Sequence, residues 1–418
     1  MGLSMTTADR RAGSALPRLR PIDPRPVEQD GELRYLLRDP LQLSDNMLIV
    51  PPALAAALAF CDGTRDAESI CAAFALHYGR RIPLRAVEQL LGALDDVCLL
   101  ENDRASAAQA AALDEYRRAP FRQPACAGSS YPDSPPALKR TLNRYLKEYG
   151  QSAPADPAAR GIISPHIDYP RGGAVYAQAW SAATRIARQA DLAIIIGADH
   201  YGDDPFTLTR QNYATPYGVL PTAQPIIEAL AEAIGPEKAF DGELRHRVEH
   251  SLELPLVWLH HARHGQPIEV VPVLAGSFTP FMKNGHSPRS NPTVQSFLDA
   301  AAQLVRNRRV LFIASGDLAH VGPAFGGAPV DDAGRAMIAD ADEALIDHMR
   351  AGDAEGFFDD IRRVGNGNNV CGTAPIYLTL KMLEATQGIA AGRARGYAHC
   401  PADDAGTSIV SVCGVTLD

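Results

Sequence analysis

Four short apolar runs, set between longer helical patterns, constrain the fold of this chain more than any other feature. The runs "GIISP", "DLAIIIG", "IEVVPVL" and "RVLFIAS" alternate with stretches such as "GGAVYAQAWSAATRIARQ" and "NPTVQSFLDAAAQLVRN". Alternation of short strands with long helices is typical of a sheet layered between helices. The sequence therefore predicts an α/β domain with a largely parallel or mixed sheet flanked by helices.

Histidine or aspartate follows three of these runs, directly after the predicted strand. "GIISPHIDY" places His166 there, "GADHYG" places Asp199 and His200, and "VLFIASGDLAH" places Asp317 and His320. A single histidine after a strand is more often an ordinary hydrogen-bonding loop residue than a ligand. However, ligands of such sheets bind outside the carboxyl ends of the strands. We therefore expect these side chains to converge on one site.

A predicted helix adds a fourth group to this set. "RVEHSLELPLVWLHHA" opens with Glu249, His250 and Glu253 in its first turns. A helix N-terminus disfavours the imidazolium, so His250 is expected to stay neutral and accept a proton. Three histidines lie near the opposite end, where the helix dipole favours a cation: His260, His261 and His264.

Neutral imidazoles with a carboxylate are the usual ligands of Fe(II), Mn(II) or Zn(II). The alternative is a buried polar network in which His, Asp and Glu satisfy each other without metal. The Gly- and Asn-rich segment "GNGNNVCGTAP" predicts a turn that brings Cys371 near the same site. Strand–GxSxG–helix, GxGxxG and GxxxxGK[ST] motifs do not occur in the sequence.

Composition narrows the function classes. The net charge of −9 over 418 residues disfavours nucleic-acid binding, which needs a basic surface. Seven cysteines without a CxxC pair predict reduced thiols and a cytoplasmic protein. The chain contains no run of about 18 apolar residues, so we expect no membrane span.

The chain is expected to divide into four parts. Residues 1–30 are Arg- and Pro-rich and predict a disordered tail, and residues 104–123 predict an Ala-rich helical linker before the α/β domain at 124–418. Residues 31–103 indicate short strands and three small helices, a winged-helix-like module. Through "CDGTRDAESICAAFALHYG" this module resembles the PqqD-like peptide-recognition domains. Peptide binding and simple packing on the larger domain remain open, and DNA binding ranks lowest.

Six motifs in order resemble the Memo-like family, protein B of the AmmeMemoRadiSam system. They are "PACAGSSYPDSPPALKRTLNRYL", "SPHIDYPRGGAVYAQAW", "GADHYG", "VEHSLELPLVWL", "SGDLAHVGP" and "NVCGTAPI". The resemblance implies a fold akin to class III extradiol dioxygenases, in which two histidines and a carboxylate hold non-haem iron. It also implies AMMECR-like and radical SAM proteins as partners.

Carried onto this sequence, the resemblance assigns a role to each candidate residue. It implies metal binding by His166, His200 and Asp317, with His250 and His320 as catalytic groups. Further pocket candidates are Glu249, Asp199 and Cys371. Ala319 stands where the family often has a cysteine, which puts a thiolate-bound metal at that position in doubt and leaves the third ligand to Asp317, His320 or Glu249.

These observations lead to one expectation and two alternatives. The expectation is a metal-dependent oxidoreductase, dioxygenase-like, that uses Fe(II), or Zn(II) or Mn(II) instead, on an unknown small molecule. A catecholic substrate would chelate the metal through two oxygens while His250 moves a proton. The alternatives are a scaffold that binds a peptide or partner protein through the same pocket, and a metal-dependent hydrolase.

Overall fold

The computed structural model describes residues 16–152, 155–388 and 391–418. The chain divides into two compact units, Met1–Arg118 and Ala119–Asp418. The elements of the first unit are β1 (Asp23–Gln29), β2 (Glu32–Arg38), β3 (Leu48–Val50), α1 (Pro52–Ala57), α2 (Ala67–Tyr78), α3 (Leu84–Asp96) and α4 (Asp103–Arg118).

The first unit combines a three-stranded antiparallel sheet, in the order β1-β2-β3, with these helices. Two small apolar cores lie within it, and Leu94 and Ile70 are fully buried members of them. The sequence predicts a linker over 104–123, and α4 occupies most of that range before the second unit begins at Ala119. The winged-helix-like assignment of the first unit stays a prediction.

The predicted disordered tail does not hold for all of residues 1–30. Residues 1–15 lie outside the described residues, whereas Asp23–Gln29 pairs along its whole length with β2. Asp30 and Gly31 connect the two strands with φ values of 54° and 76°. An Asp-Gly pair with positive φ at both residues is a favoured two-residue hairpin turn. The Arg- and Pro-rich composition suggested disorder, but residues 23–38 form a hairpin, and the Asp30–Gly31 pair is the sequence signal for its turn.

The second unit is built on an eight-stranded mixed sheet, with a separate two-stranded sheet beside it in the chain. Its strands are β4 (Gly161–Ser164), β5 (Leu192–Ala198), β6 (Thr207–Leu208), β7 (Tyr213–Thr215), β8 (Gly218–Leu220), β9 (Glu269–Ala275), β10 (Val310–Ser315), β11 (His320–Val321), β12 (Gly392–Pro401) and β13 (Ile409–Leu417). Along the large sheet the order is β11-β13-β4-β10-β5-β9-β6, and β12 pairs with β13, whereas β7 and β8 form the two-stranded sheet.

Helices cover both faces of this sheet, which confirms the predicted α/β layering. Alternate residues of β5 enter different apolar cores: Ile194 and Ile196 face one, and Ala193 and Ile195 face the other. The helices are α5 (Pro135–Tyr149), α6 (Tyr169–Gln189), α7 (Gln224–Ile234), α8 (Pro236–Asp241), α9 (His250–Ala262), α10 (Thr279–Asn284), α11 (Pro292–Leu304), α12 (Asp332–Ala351), α13 (Ala354–Arg363) and α14 (Thr373–Gln387). Among the described residues, no helix combines the length and apolarity that a membrane span requires.

The four apolar runs of the sequence are β4, β5, β9 and β10, and they form the parallel centre of the sheet. Ser315, the last residue of β10, is in register with Ser164 of β4 and with Gly197 of β5. The loops after these three neighbouring strands therefore emerge side by side. This register brings the residues that follow each strand to one edge of the sheet.

Candidate metal centre

Three histidines from separate elements meet at this edge. His166 follows β4, His200 follows β5, and His250 is the first residue of α9. Their ring centroids are 5.2 Å (His166 to His200), 5.1 Å (His166 to His250) and 4.7 Å (His200 to His250) apart. One nitrogen from each ring lies within 4.8 Å of the others. His166 is buried, His250 is half-buried and His200 is partly exposed, so one side of the cluster is open to solvent.

A buried carboxylate, Glu249, orients two of these rings. Nδ1 of His200 lies 3.1 Å from both of its oxygens, and Nδ1 of His250 lies 3.0 Å from Oε1. Glu249 also caps α9 by accepting the Ser251 backbone N–H, and it accepts the His200 backbone N–H. A carboxylate that holds the Nδ1 proton leaves Nε2 with its lone pair free, as in carboxylate–histidine–metal arrangements.

Electrostatics agree with this arrangement at Glu249 and His166, whereas a metal ion at His200 has to displace a proton. Burial alone would lower the pKa of His200, but the Glu249 carboxylate beside it raises that pKa well above its ordinary value. Burial by itself would raise the pKa of Glu249, but the His200 and His250 rings beside it hold that pKa well below its usual range. Burial, assisted by the neighbouring His250 and His200 rings, lowers the pKa of His166 well below its ordinary value. Glu249 is thus ionised and His166 is a neutral imidazole, the form that binds a metal ion.

Cys371 places a thiol at the same cluster. Its Sγ lies 3.1 Å from Nε2 of His166 and 3.6 Å from the Asp317 carbonyl oxygen. Two glycines permit this approach: a Cβ on Gly316 would lie 2.4 Å from Cα of Gly372. Burial raises the pKa of the Cys371 thiol, so it is protonated unless a cation binds beside it.

Asp317, the predicted third ligand, lies against His166. Its Oδ1 accepts the His166 backbone N–H at 2.9 Å, and its Oδ2 lies 3.8 Å from Nε2 of the same residue. Burial raises the pKa of Asp317 to about 6. One oxygen thus fixes the loop that carries His166 and the other faces the ring. The metal-ligand role of Asp317 stays a prediction, because the cluster of donor atoms contains His250 in its place.

The two remaining candidates lie beside the cluster. Nδ1 of His320 donates to the Leu318 carbonyl at 3.1 Å, and burial lowers its pKa to about 4. Asp199 is buried, and its carboxylate accepts from the Arg245 side chain at 2.6 Å. His320 is therefore a neutral imidazole, whereas Asp199 is engaged in an ion pair.

The histidines at the far end of α9 do not belong to this centre. Nδ1 of His260 accepts from the Thr215 hydroxyl at 2.7 Å, and its Nε2 donates to the Gly265 carbonyl at 3.1 Å. Burial lowers the pKa of His260 and of His261 to about 4. The expectation that the helix dipole favours cations there is therefore wrong for these two residues, because burial outweighs the dipole.

The sequence did not predict one buried polar network beside the cluster. Arg122, from the segment before α5, forms a fully buried ion pair with Glu253 of α9. The same guanidinium donates to the Glu249 carbonyl at 2.9 Å. Arg122 thereby ties the residue that orients His200 and His250 to the start of the second unit. A lone arginine in a loop carries no periodic signal, so the sequence did not reveal it.

The donor set fits a divalent metal. Imidazole nitrogens suit iron and zinc, a thiol is a softer ligand for the same ions, and three protein ligands with an open side are typical of catalytic rather than structural sites. Glu249 supplies the outer carboxylate that such histidine ligands require.

Fold and site together define an α/β protein with a histidine-rich centre at the carboxyl edge of its sheet. A profile of the family described as Memo-like protein matches residues 122–414. A MEMO1 family protein of Aquifex aeolicus is 27% identical over 303 residues, which cover 70% of this chain and 73% of that protein. One from Methanosarcina barkeri is 26% identical over 277 residues, 66% of this chain and 90% of its own. The chain belongs to the Memo-like family.

Proposed function

We propose that the chain holds one divalent metal ion through His166, His200 and His250 and acts as a non-haem metal-dependent oxidoreductase. The observation that carries this proposal is the three-imidazole cluster with its nitrogens within 4.8 Å of one another. Fe(II) is the first choice and Zn(II) the second, because nitrogen and thiol donors suit these ions better than Mn(II). The dioxygenase-like character rests on the family resemblance.

The roles of the side chains follow from their contacts. When bound, an iron ion supplies Lewis-acid charge and a one-electron couple. Glu249 holds the Nδ1 protons of His200 and His250, so Nε2 of both rings is the nitrogen left to bind the ion. Asp317 fixes the His166 backbone. His320, neutral and outside the cluster, is the imidazole left to accept or return a proton.

The role of His250 separates this proposal from the assignment made from sequence. If His250 holds the metal, His250→Gln abolishes metal uptake and His320→Gln preserves it while lowering turnover about 10²- to 10⁴-fold. If His250 is the acid/base and Asp317 the third ligand instead, His250→Gln preserves metal uptake and lowers turnover by a similar factor. Metal content and turnover measured on both variants decide between the two assignments.

Oxygen consumption tests the oxidoreductase proposal itself. Fe(II)-loaded full-length protein is screened with catechols and other phenols on an oxygen electrode, and the His166→Ala/His200→Ala variant serves as the inactive control. We expect substrate-dependent oxygen uptake by the wild type alone. Hydrolysis of ester substrates by Zn(II)-loaded protein without oxygen uptake would favour the hydrolase. Metal binding without turnover of either kind would favour the scaffold.

A further inference from the structure

A cavity of about 210 Å³ opens beside the histidine cluster on its β9 side. His200 and Cys371 line it, which makes it continuous with the candidate metal centre. The remaining wall comes from the segment after β9, from α10 and from the start of α14, represented by Phe278, Met282 and Thr373. Because β9 lies next to β5 in the sheet, this cavity lies on the β9 side of His200, and His166 is not among the residues that line it.

Apart from Asp199 and His200, the side chains on the wall of the cavity are apolar, or polar but uncharged. Phe278, Met282 and Val370 provide apolar surface, and Ser277 and Asn369 provide neutral hydrogen-bonding groups. All the residues that line it are described, and none of them is Lys or Arg. The single lining carboxylate is Asp199, which is already paired with Arg245. An anionic group at the end of a ligand remote from His200 would therefore find no cation on this wall.

Volume and charge together specify a ligand class. A cavity of about 150 Å³ with apolar walls accommodates benzene, so this one has room for a single substituted ring. Burial of an unpaired charge is costly, whereas amide or hydroxyl groups find partners among Ser277, Asn369 and Thr373. Phe278 and Met282 suit the faces and edges of an aromatic ring.

We propose that this cavity selects a neutral, single-ring molecule that directs a hydroxyl group toward His200 and Cys371 and carries no anionic group at its other end. The inference rests on the proposed function, because it names the substrate class of the same centre. It excludes aromatic acids and phosphorylated compounds as substrates, although either would be attracted by a metal ion alone.

A matched pair of probes tests the charge selection. 4-Hydroxybenzamide and 4-hydroxybenzoate have the same ring, hydroxyl group and number of heavy atoms but differ in charge at the para position. Saturation-transfer NMR titrations use the full chain, metal-free and loaded with Zn(II). We expect the amide to bind with a dissociation constant of about 1 mM, typical of a ligand this small, and the carboxylate to bind at least about tenfold more weakly.

Three variants locate the binding. Met282→Trp fills the cavity and is expected to weaken the amide at least about tenfold, whereas Met337→Trp, at an exposed methionine of α12, leaves binding unchanged. Ser277→Lys places a cation on the wall and is expected to reverse the preference in favour of the carboxylate. Ser277 is exposed, so the change does not disturb the core. Circular dichroism confirms that each variant is folded.

Several outcomes would overturn the inference. These are equal or tighter binding of the carboxylate by the wild type, no saturable binding of the amide, or amide binding that Met282→Trp leaves unchanged. Failure of the proposed function has a different signature: the protein takes up no metal, yet the metal-free form still binds the amide and rejects the carboxylate. That result would support the ligand selectivity proposed for the cavity and would contradict metal binding by the histidine cluster.

Discussion

Replacement of Arg122 by methionine is expected to destabilise the second unit by about 3–5 kcal/mol, the usual loss when one partner of a buried ion pair is removed. The Arg122 side chain is 0% exposed and that of its partner Glu253 is 1% exposed. The guanidinium also donates to the carbonyls of His246 and Glu249, each at 2.9 Å. Methionine fills much of the volume but leaves the Glu253 carboxylate buried without its counter-ion and two carbonyls without a donor.

A double-mutant cycle isolates the pair. Besides Arg122, Glu253 accepts the backbone N–H groups of Ala125 and Cys126 and the hydroxyl of Tyr131. Glu253→Gln keeps one acceptor oxygen for those donors and removes the negative charge that faces Arg122. The double variant Arg122→Met/Glu253→Gln leaves neither charge of the pair in the core. Its free energy of unfolding should therefore fall by about 1–3 kcal/mol less than the sum of the decreases in the two single variants.

Urea unfolding followed by tryptophan fluorescence measures these losses. Both tryptophans of the chain, Trp180 and Trp258, lie in the second unit, so the signal reports on that unit. Arg309→Met is the matched control, because Arg309 and its partner Asp191 are 68% and 48% exposed, and a loss of about 0–1 kcal/mol is expected there. A decrease in the free energy of unfolding for Arg122→Met no larger than that for Arg309→Met would refute the claim that burial makes the Arg122–Glu253 pair important for stability.

Three further predictions follow from the site and the fold. Glu249→Gln should weaken metal binding about 10- to 100-fold, measured by chelator competition, because the amide no longer accepts the Nδ1 protons as a carboxylate does. Burial lowers the pKa of His260 to about 4 in the folded chain, below the ordinary value near 6.5. The unfolded chain therefore binds more protons between these pH values, so the stability that neutral His260 contributes is complete above pH 6.5 and falls by about 3 kcal/mol toward pH 4. His260→Gln should flatten the pH dependence of urea unfolding in this range, and an unchanged slope would contradict the assignment. A chain that begins at Ala119 should remain folded and take up metal as the full chain does; an insoluble product would show that the first unit completes the core.

The central strands and the edge of the sheet were predictable because they depend on local pattern. Apolar runs identify β4, β5, β9 and β10, and chain direction then sends the residues after each strand to one edge. The antiparallel strands β12 and β13 were not predicted. Gly392–Pro401 is largely exposed or half-buried, so it lacks the continuous apolar run that marked the central strands.

The grouping of residues within the site was only partly predictable. His166, His200 and His250 were all identified as site residues, but which of them share a centre depends on distances between elements far apart in sequence. Glu249 was a pocket candidate, whereas its contact with two imidazoles depends on how the start of α9 packs on β5. Gly197 permits that packing, since a Cβ there would lie 2.5 Å from the Ser251 hydroxyl.

Metal content of the full chain, purified without chelators and then incubated with Fe(II), Zn(II) or Mn(II), tests the metal centre most directly. We expect about one bound ion per chain for the wild type and none for His166→Ala/His200→Ala. The control variant His264→Ala/His286→Ala removes two exposed histidines outside the cluster and should bind as the wild type does. A wild type that takes up none of these ions, or a cluster variant that retains the full amount, would contradict the assignment of this centre.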